Sequence, residues 1–327
     1  MRFFQSMKWL RAVMAILACA FTAPATWAQE WPNRPIRLIV SFAPGGLTDL
    51  VARALQPRLS EGFGQPVIIE NRPGAGGTVA EGLLARAAPD GYTMMLTADG
   101  VPANPHLMRN LPYDTFKDLM PVGMLVRIPL VLLVSSAVPS STVKDFVSYA
   151  HANVGKISYA SPGVGTSNHL YVEVFKDMTN VEMPHVAYKG GGPAMTDLIG
   201  GHVQAMLISS TLAVPQVAGG KVKALAVTSE KRLTQMPNVQ TFAEAGYPDF
   251  KPQTWSGLFL PSGTPPAVVN RISTEFAQAM KSPEVLARLR ELGAEPVMSS
   301  PADFTSLLRK DHEALGKLIR SRNITAQ

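Results

Sequence analysis

Cysteine is almost absent from this sequence of 327 residues: the single one, Cys19, falls in an N-terminal stretch that reads as a removable leader. Without that stretch the chain has no thiol, which excludes disulfides, cysteine nucleophiles, Cys-type zinc sites and thioredoxin chemistry together. Charge is also sparse. Only 17% of residues are Asp, Glu, Lys or Arg, too few for a disordered tail protein or a long coiled coil. Aromatic residues make up 7% and are not interleaved with basic ones, so no nucleic-acid partner is expected. The six histidines form no HxxxH or HxxH pair, which leaves a helical metal site without a basis. Nucleotide motifs are missing: no Gly-x-x-x-x-Gly-Lys-Ser/Thr occurs, and Gly74-Ala75-Gly76 is followed by Val79 where a dinucleotide fingerprint needs its third glycine. There is no Gly-x-Ser-x-Gly elbow, and the acidic pairs are scattered. The chain is read as a non-enzyme without a cofactor.

Long apolar runs are confined to the start. Arg2, Lys8 and Arg11 precede an apolar stretch, Ala12 to Ala25, broken by Cys19, Thr22 and Pro24. Thr26 and Ala28 then stand at the −3 and −1 positions for a cut before Gln29. A stretch of about 14 residues is too short for a bilayer, which needs roughly 20. Residues 1–28 are thus expected to be a signal peptide and the mature chain to be periplasmic. A membrane anchor, a buried helix or lipid attachment at Cys19 are the alternatives; bulky Leu17 fits the last poorly. Removing three of 30 basic residues leaves 27 against 24 acidic, so the formal charge falls from +6 to +3. Later in the chain Ile128–Val134 is the length of a strand, not of a membrane span.

What is abundant is glycine, 26 residues, placed where strands hand over to helices. Strands are expected at Ile36–Phe42, Val67–Asn71, Thr93–Thr97, Ile157–Ala160, Pro184–Tyr188, Ala205–Ser209, Ala224–Thr228 and Trp255–Leu260. Helices are expected at about Leu50–Glu61, from Thr78 through Ala87, Thr142–Ala152, to about Met178, Ala267–Lys281, Pro283–Leu292 and from Pro301 to Arg320. The segment from Met236 to Gln253 reads as loop. This alternation specifies an α/β protein with doubly wound sheets, divided into two lobes with short crossings.

Three loops combine glycine with Ser or Thr at a helix start: Pro44–Asp49, Pro73–Thr78 and Pro162–Ser167. A helix start offers unpaired N–H groups and a positive dipole end, and glycine lets a ligand approach the backbone. Such loops suit a carboxylate or a phosphate, and in doubly wound sheets they gather at the carboxyl ends of the strands. Each loop taken alone is also an ordinary tight turn. Thr48 and Asp49 are explained equally by helix capping, and His169 by capping or packing. His151 and His312 read as surface residues on amphipathic helices. Phe42, Tyr188 and Trp255 sit beside strand ends, as core or as cleft residues.

Trp31-Pro32-Asn33-Arg34-Pro35-Ile36, Phe42-Ala43-Pro44-Gly45-Gly46, Glu70-Asn71-Arg72-Pro73-Gly74-Ala75-Gly76-Gly77 and Ala88-Pro89-Asp90-Gly91-Tyr92-Thr93 resemble the Bug-type receptors. So do Leu111-Pro112-Tyr113-Asp114, Gly165-Thr166-Ser167, Tyr188-Lys189-Gly190, Ala224-Leu225-Ala226-Val227-Thr228 and Gly263-Thr264-Pro265-Pro266. These receptors are periplasmic solute-binding proteins of tripartite tricarboxylate transporters, and the likeness spans nearly the whole mature chain. It implies a two-lobed, type II Venus-flytrap protein with a ligand cleft between lobes. Lobe 1 is expected at 29–127 and again at 253–327, and lobe 2 at 128–252. The resemblance implies a small carboxylate held from lobe 1 by Phe42, Ala43, Pro44, Gly45, Gly46, Thr48 and Asp49, with Gly76, Gly77 and Thr78. Lobe 2 would add Ser161, Gly165, Thr166, Ser167 and His169, with Ile208 and Ser209 after the next strand. Membrane permease subunits are the implied partners, and a monomer is expected. Leu47 departs from the family's usual third glycine. Ile208-Ser209 replaces an acidic or amide pair, which removes a partner for an amino group and favours a mono-, di- or aromatic carboxylate. A ligand-sensing receptor for a signalling partner and a secreted α/β enzyme are the alternatives.

Overall fold

The apolar run at Ile36 forms β1 (Ile36–Val40), a parallel strand buried at every residue but Arg37. The computed structural model describes residues 31–108, 110–188 and 190–325. The expected signal peptide, Cys19 within it, and Lys189 lie outside these residues. β1 leads to α1 (Leu47–Phe63), which buries Val51, Ala52, Leu55, Leu59 and Phe63 along one stripe and stops at Gly64, in the left-handed region at φ 62°. Next come β2 (Val67–Asn71), a 3₁₀ turn at Ala75–Gly77, α2 (Thr78–Ala85), β3 (Thr93–Ala98) and the short α3 (Asn104–Leu107). β4 (Leu119–Ser135) is followed by α4 (Val143–Ala152), β5 (Tyr159–Ser161), α5 (Ser167–Thr179), β6 (His185–Ala187), α6 (Gly191–Ile199) and β7 (Ala205–Ser209). The chain continues with α7 (Ser210–Ala218), β8 (Val222–Val227), β9 (Gln253–Pro261), α8 (Pro266–Ala279), α9 (Pro283–Glu291), β10 (Glu295–Pro296) and α10 (Pro301–Ser321).

Strands β2, β1 and β3 run parallel, β9 lies antiparallel to β3, and β4 antiparallel to β9. The same pattern recurs with β6, β5 and β7, which is antiparallel to the later part of β4, while β8 also pairs with β4. β4 therefore serves both groups: residues 119–129 pair with β9, and 130–135 with β7 and β8. The apolar run at Ile128–Val134 is only its second half. The first half escapes sequence reading because Pro121 and Gly123 interrupt it; register shifts at Pro121/Gly123 and Met124/Val126 absorb both. Pro215 inside α7 likewise hides that helix from its sequence pattern.

Residues from Arg34 onward pack as one unit. One core gathers Ile39, Leu84, Met95, Trp255, Phe259 and Phe304 around β1, β3 and β9. Two others flank the second strand group, one including Phe146, Tyr159, Phe175 and Phe242, the other Val131, Met206, Ile208 and Val227. α10 packs against β4, α3 and α5, where Leu315 and Ile319 join Ala103, Leu107 and Leu170. His312 is on this helix but is not a surface residue. Its Nδ1 lies 2.9 Å from the Pro102 carbonyl and its ring stacks on His106 at 4.1 Å.

Candidate functional site

The second glycine loop lies at the ends of β1 and β3. Ser41, fully buried after β1, donates its hydroxyl to Thr97 Oγ1 at 2.8 Å. The turn at Gly74–Gly77 lies beside that pair; a Cβ placed on Gly77 would come 3.7 Å from both Ser41 Cβ and Thr97 Oγ1. Four successive residues there have positive φ, Gly74 at 141°, Ala75 at 45°, Gly76 at 66° and Gly77 at 104°, which is why the run is glycine-rich. Thr78 Oγ1 donates to Ala75 O at 2.9 Å and ties the turn to α2.

Asp49 organises the first loop. Its Oδ2 accepts from Gly45 N and Arg53 Nε, both at 2.9 Å, and its Oδ1 from Asn71 Nδ2 at 2.9 Å. Burial alone would push its pKa up, but the bonds from Arg53, Gly45 and Asn71 outweigh it and hold the carboxyl below the ordinary range. Gly46, not Thr48 or Asp49, is the capping residue of α1. Asp49 is 1% exposed with both oxygens engaged, so it shapes the loop from within. Thr48 is buried beside it, and Phe42, Gly46 and Leu47 are half-exposed.

The third loop is equally self-bound. Thr166 Oγ1 donates to Gly163 O at 2.8 Å and accepts from His169 N, capping α5. Gly165 N donates to His169 Nδ1 at 3.0 Å, which fixes the imidazole as a neutral acceptor at that nitrogen. His169 stacks on His185 at 3.9 Å and 9°, and His185 stacks on Tyr159 at 4.8 Å. Ser161 Oγ lies 2.6 Å from His185 Nε2. Burial, then the neighbouring His169, pushes His185 down to about 4; burial also lowers His169. Tyr159 donates its hydroxyl to Glu173 at 2.6 Å, and Lys176 neutralises that carboxylate at 2.9 Å.

Loop three is joined to the β3 end directly. Ser167 Oγ donates to Asp99 Oδ1 at 2.9 Å, and Gly165 lies against Leu107 of α3. Asn168 Nδ2 donates to Leu207 O at 3.0 Å, connecting α5 to β7. Ser209 caps α7 at the end of β7, whereas Ile208 buries its side chain in the core with Val131 and Met206. Asp99 and Leu107 thus hold the third loop beside the end of β3, the first loop is organised separately by Asp49 and Asn71, and Ile208 is turned into packing.

Several residues around these loops were missed by sequence reading. Asp99 follows β3 as Ser41 follows β1, so the strand-end rule that selected the glycine loops also selects it. Glu81 had no such signal. It is fully buried, accepts from Asn104 Nδ2 at 2.9 Å and from the Tyr113 hydroxyl, and burial raises it to about 7 against both bonds. Asn104 in turn lies beside Gly76, since a Cβ on Gly76 would stand 3.5 Å from its Oδ1. His185 lies in β6, within the expected strand Pro184–Tyr188, where no local motif singles it out. Surface recesses run along α1 and β2 and between α1 and α8, and none of the loop residues lines them. Among the described residues no group of side chains is arranged to hold a metal ion, and no helix is long and apolar enough to cross a membrane.

Two strand groups of the same order sharing β4 define a two-lobed solute-binding protein of the periplasmic type. Residues 51–324 match the model of the tripartite tricarboxylate transporter family receptors, and the chain belongs to that family. Protein BugT of Bordetella pertussis is 36% identical, over 95% of this chain and 96% of its own. A Rhodopseudomonas palustris protein solved with adipate superposes with a TM-score of 0.85 at 35% identity, covering 90% of this chain and 99% of that one. MatC of the same organism, solved with bound malate, gives 0.81 at 33% identity, covering 88% and 100%. These relatives are binding proteins, not enzymes.

Proposed function

We propose that this protein is a periplasmic receptor that captures a small carboxylate between its lobes and delivers it to the membrane permease subunits of a tripartite tricarboxylate-type transporter. The observation that supports this reading is the joining of the second and third glycine-rich helix starts, through Ser167–Asp99 and Gly165 against Leu107, in a family with solved members that hold adipate and malate. The N-terminal ends of α1, α2 and α5 supply the positive potential, with Ser161 and Thr166 as nearby hydroxyls. Asp49 and His169 hold loops in shape, and Phe42, Ala43, Pro44 and Ser209 border the cleft. Lobe 1 comprises 29–127 and 253–327, lobe 2 comprises 128–252, and residues 1–28 direct export before removal. The receptor acts as a monomer. Bridging waters give a grip that releases easily, and closure about the crossings is the working motion.

Calorimetric titration of the mature protein with adipate, malate, succinate and benzoate tests the reading. Binding of at least one acid is expected, weakened about tenfold or more by Thr166→Ala, which also lowers the stability of the free protein by about 1 kcal/mol through the lost cap of α5. Failure of every acid to bind would overturn it.

A further inference from the structure

Asp99 is 6% exposed, and it joins elements of the two strand groups: it follows β3, and its Oδ1 accepts from Ser167 in the first turn of α5. Its other oxygen, Oδ2, is buried with no hydrogen-bond partner among the described residues. The surroundings are acidic. Asp311 of α10 faces it, Tyr171 of α5 senses both acids, Thr254 of β9 adds a hydroxyl, and Lys310 acts on Asp311. An unpaired carboxylate buried beside a second acid is costly, whereas an unpaired neutral O–H costs far less. Burial therefore raises the Asp99 carboxyl to about 7, with Ser167 and Thr254 offsetting part of the rise.

We infer that Asp99 is a positioning residue of the binding site, a latch that holds Ser167 and the third loop against β3 and takes up a proton when the lobes close over it. This inference rests on the closing receptor proposed above. Opening separates Asp99 from Ser167 and returns the carboxyl to water, where its ordinary value is about 4. The closed state then binds the proton more tightly than the open one. Closure is favoured as pH falls through the interval between the two values, by roughly tenfold per pH unit, and is weakened above about 7. Ligand capture at mildly acidic pH therefore draws a proton from the buffer.

The mature chain, free of cysteine, can be labelled at Lys156→Cys and Lys281→Cys, both exposed. Energy transfer between the labels, without ligand, should shift toward the closed value as pH falls from about 8 to about 5. Asp99→Asn keeps an acceptor for Ser167 but cannot titrate, so it should stay closed and flat across that range. Asp311→Asn, which removes the facing acid, should move the wild-type midpoint to lower pH. Titration with adipate and malate near pH 6, in buffers of different ionisation enthalpy, should show close to one proton taken up by the wild type and none by Asp99→Asn. A flat wild-type response, or an Asp99→Asn response equal to it, overturns the latch. If no acid of the panel binds, the receptor reading is lost while the ligand-free measurement still decides the latch.

Discussion

At the scale of single residues, the polar groups of the loops are mostly bonded to one another. Asp49 uses both oxygens on its own loop, and Thr166 caps α5. His169 and His185 form a stack that must stay neutral, because protonating His169 Nδ1 would break its bond from Gly165 N. Both are held below the ordinary histidine value, His185 at about 4. The folded state thus binds these protons less tightly than the unfolded chain. Stability is complete above about 6.5 and is lost as pH falls toward the folded value. Urea unfolding followed from neutral to mildly acidic pH should show a loss of about 1–2 kcal/mol, solvent screening part of the full effect. His185→Phe keeps the ring stack and should flatten that dependence.

At the scale of elements, the helix starts depend on backbone conformation as much as on side chains. Gly45 and Gly165 have similar φ, 77° and 75°, but different surroundings. A Cβ on Gly45 meets nothing, while one on Gly165 collides with Leu107. Gly45→Ala should cost about 1 kcal/mol of stability, the backbone penalty alone. Gly165→Ala should cost more and weaken carboxylate binding at least tenfold, since it pushes the third loop off α3. Parallel urea and calorimetric titrations of the two variants separate these effects. The glycine loops were legible in the sequence because a strand, a glycine run and an amphipathic helix form a local pattern. The first half of β4 was not legible, because its proline and glycine are tolerated only through register shifts against β9.

At the scale of the molecule, β4 and α10 connect the two strand groups. α10 brings Leu315 and Ile319 against Leu107 of α3 and Leu170 of α5, and Arg322 forms an ion pair with Asp177. The apolar seam dominates, because the ion pair is partly exposed. Leu315→Ala should destabilise the protein by about 2–4 kcal/mol, whereas Arg322→Ala should cost less than about 1 kcal/mol. Denaturant titration of both variants checks the ranking.

By itself the sequence determined the α/β class, the placement of the glycine-rich helix starts and the family likeness, because each is written in neighbouring residues. Only the tertiary structure decided which groups face one another. It placed Ile208 in the core, paired His106 with His312 across 206 positions, and set Asp99 against Ser167 across 68. Burial and the company of other charges govern the protonation of Asp99, Glu81 and His185, and both arise only when distant strands bring their ends together.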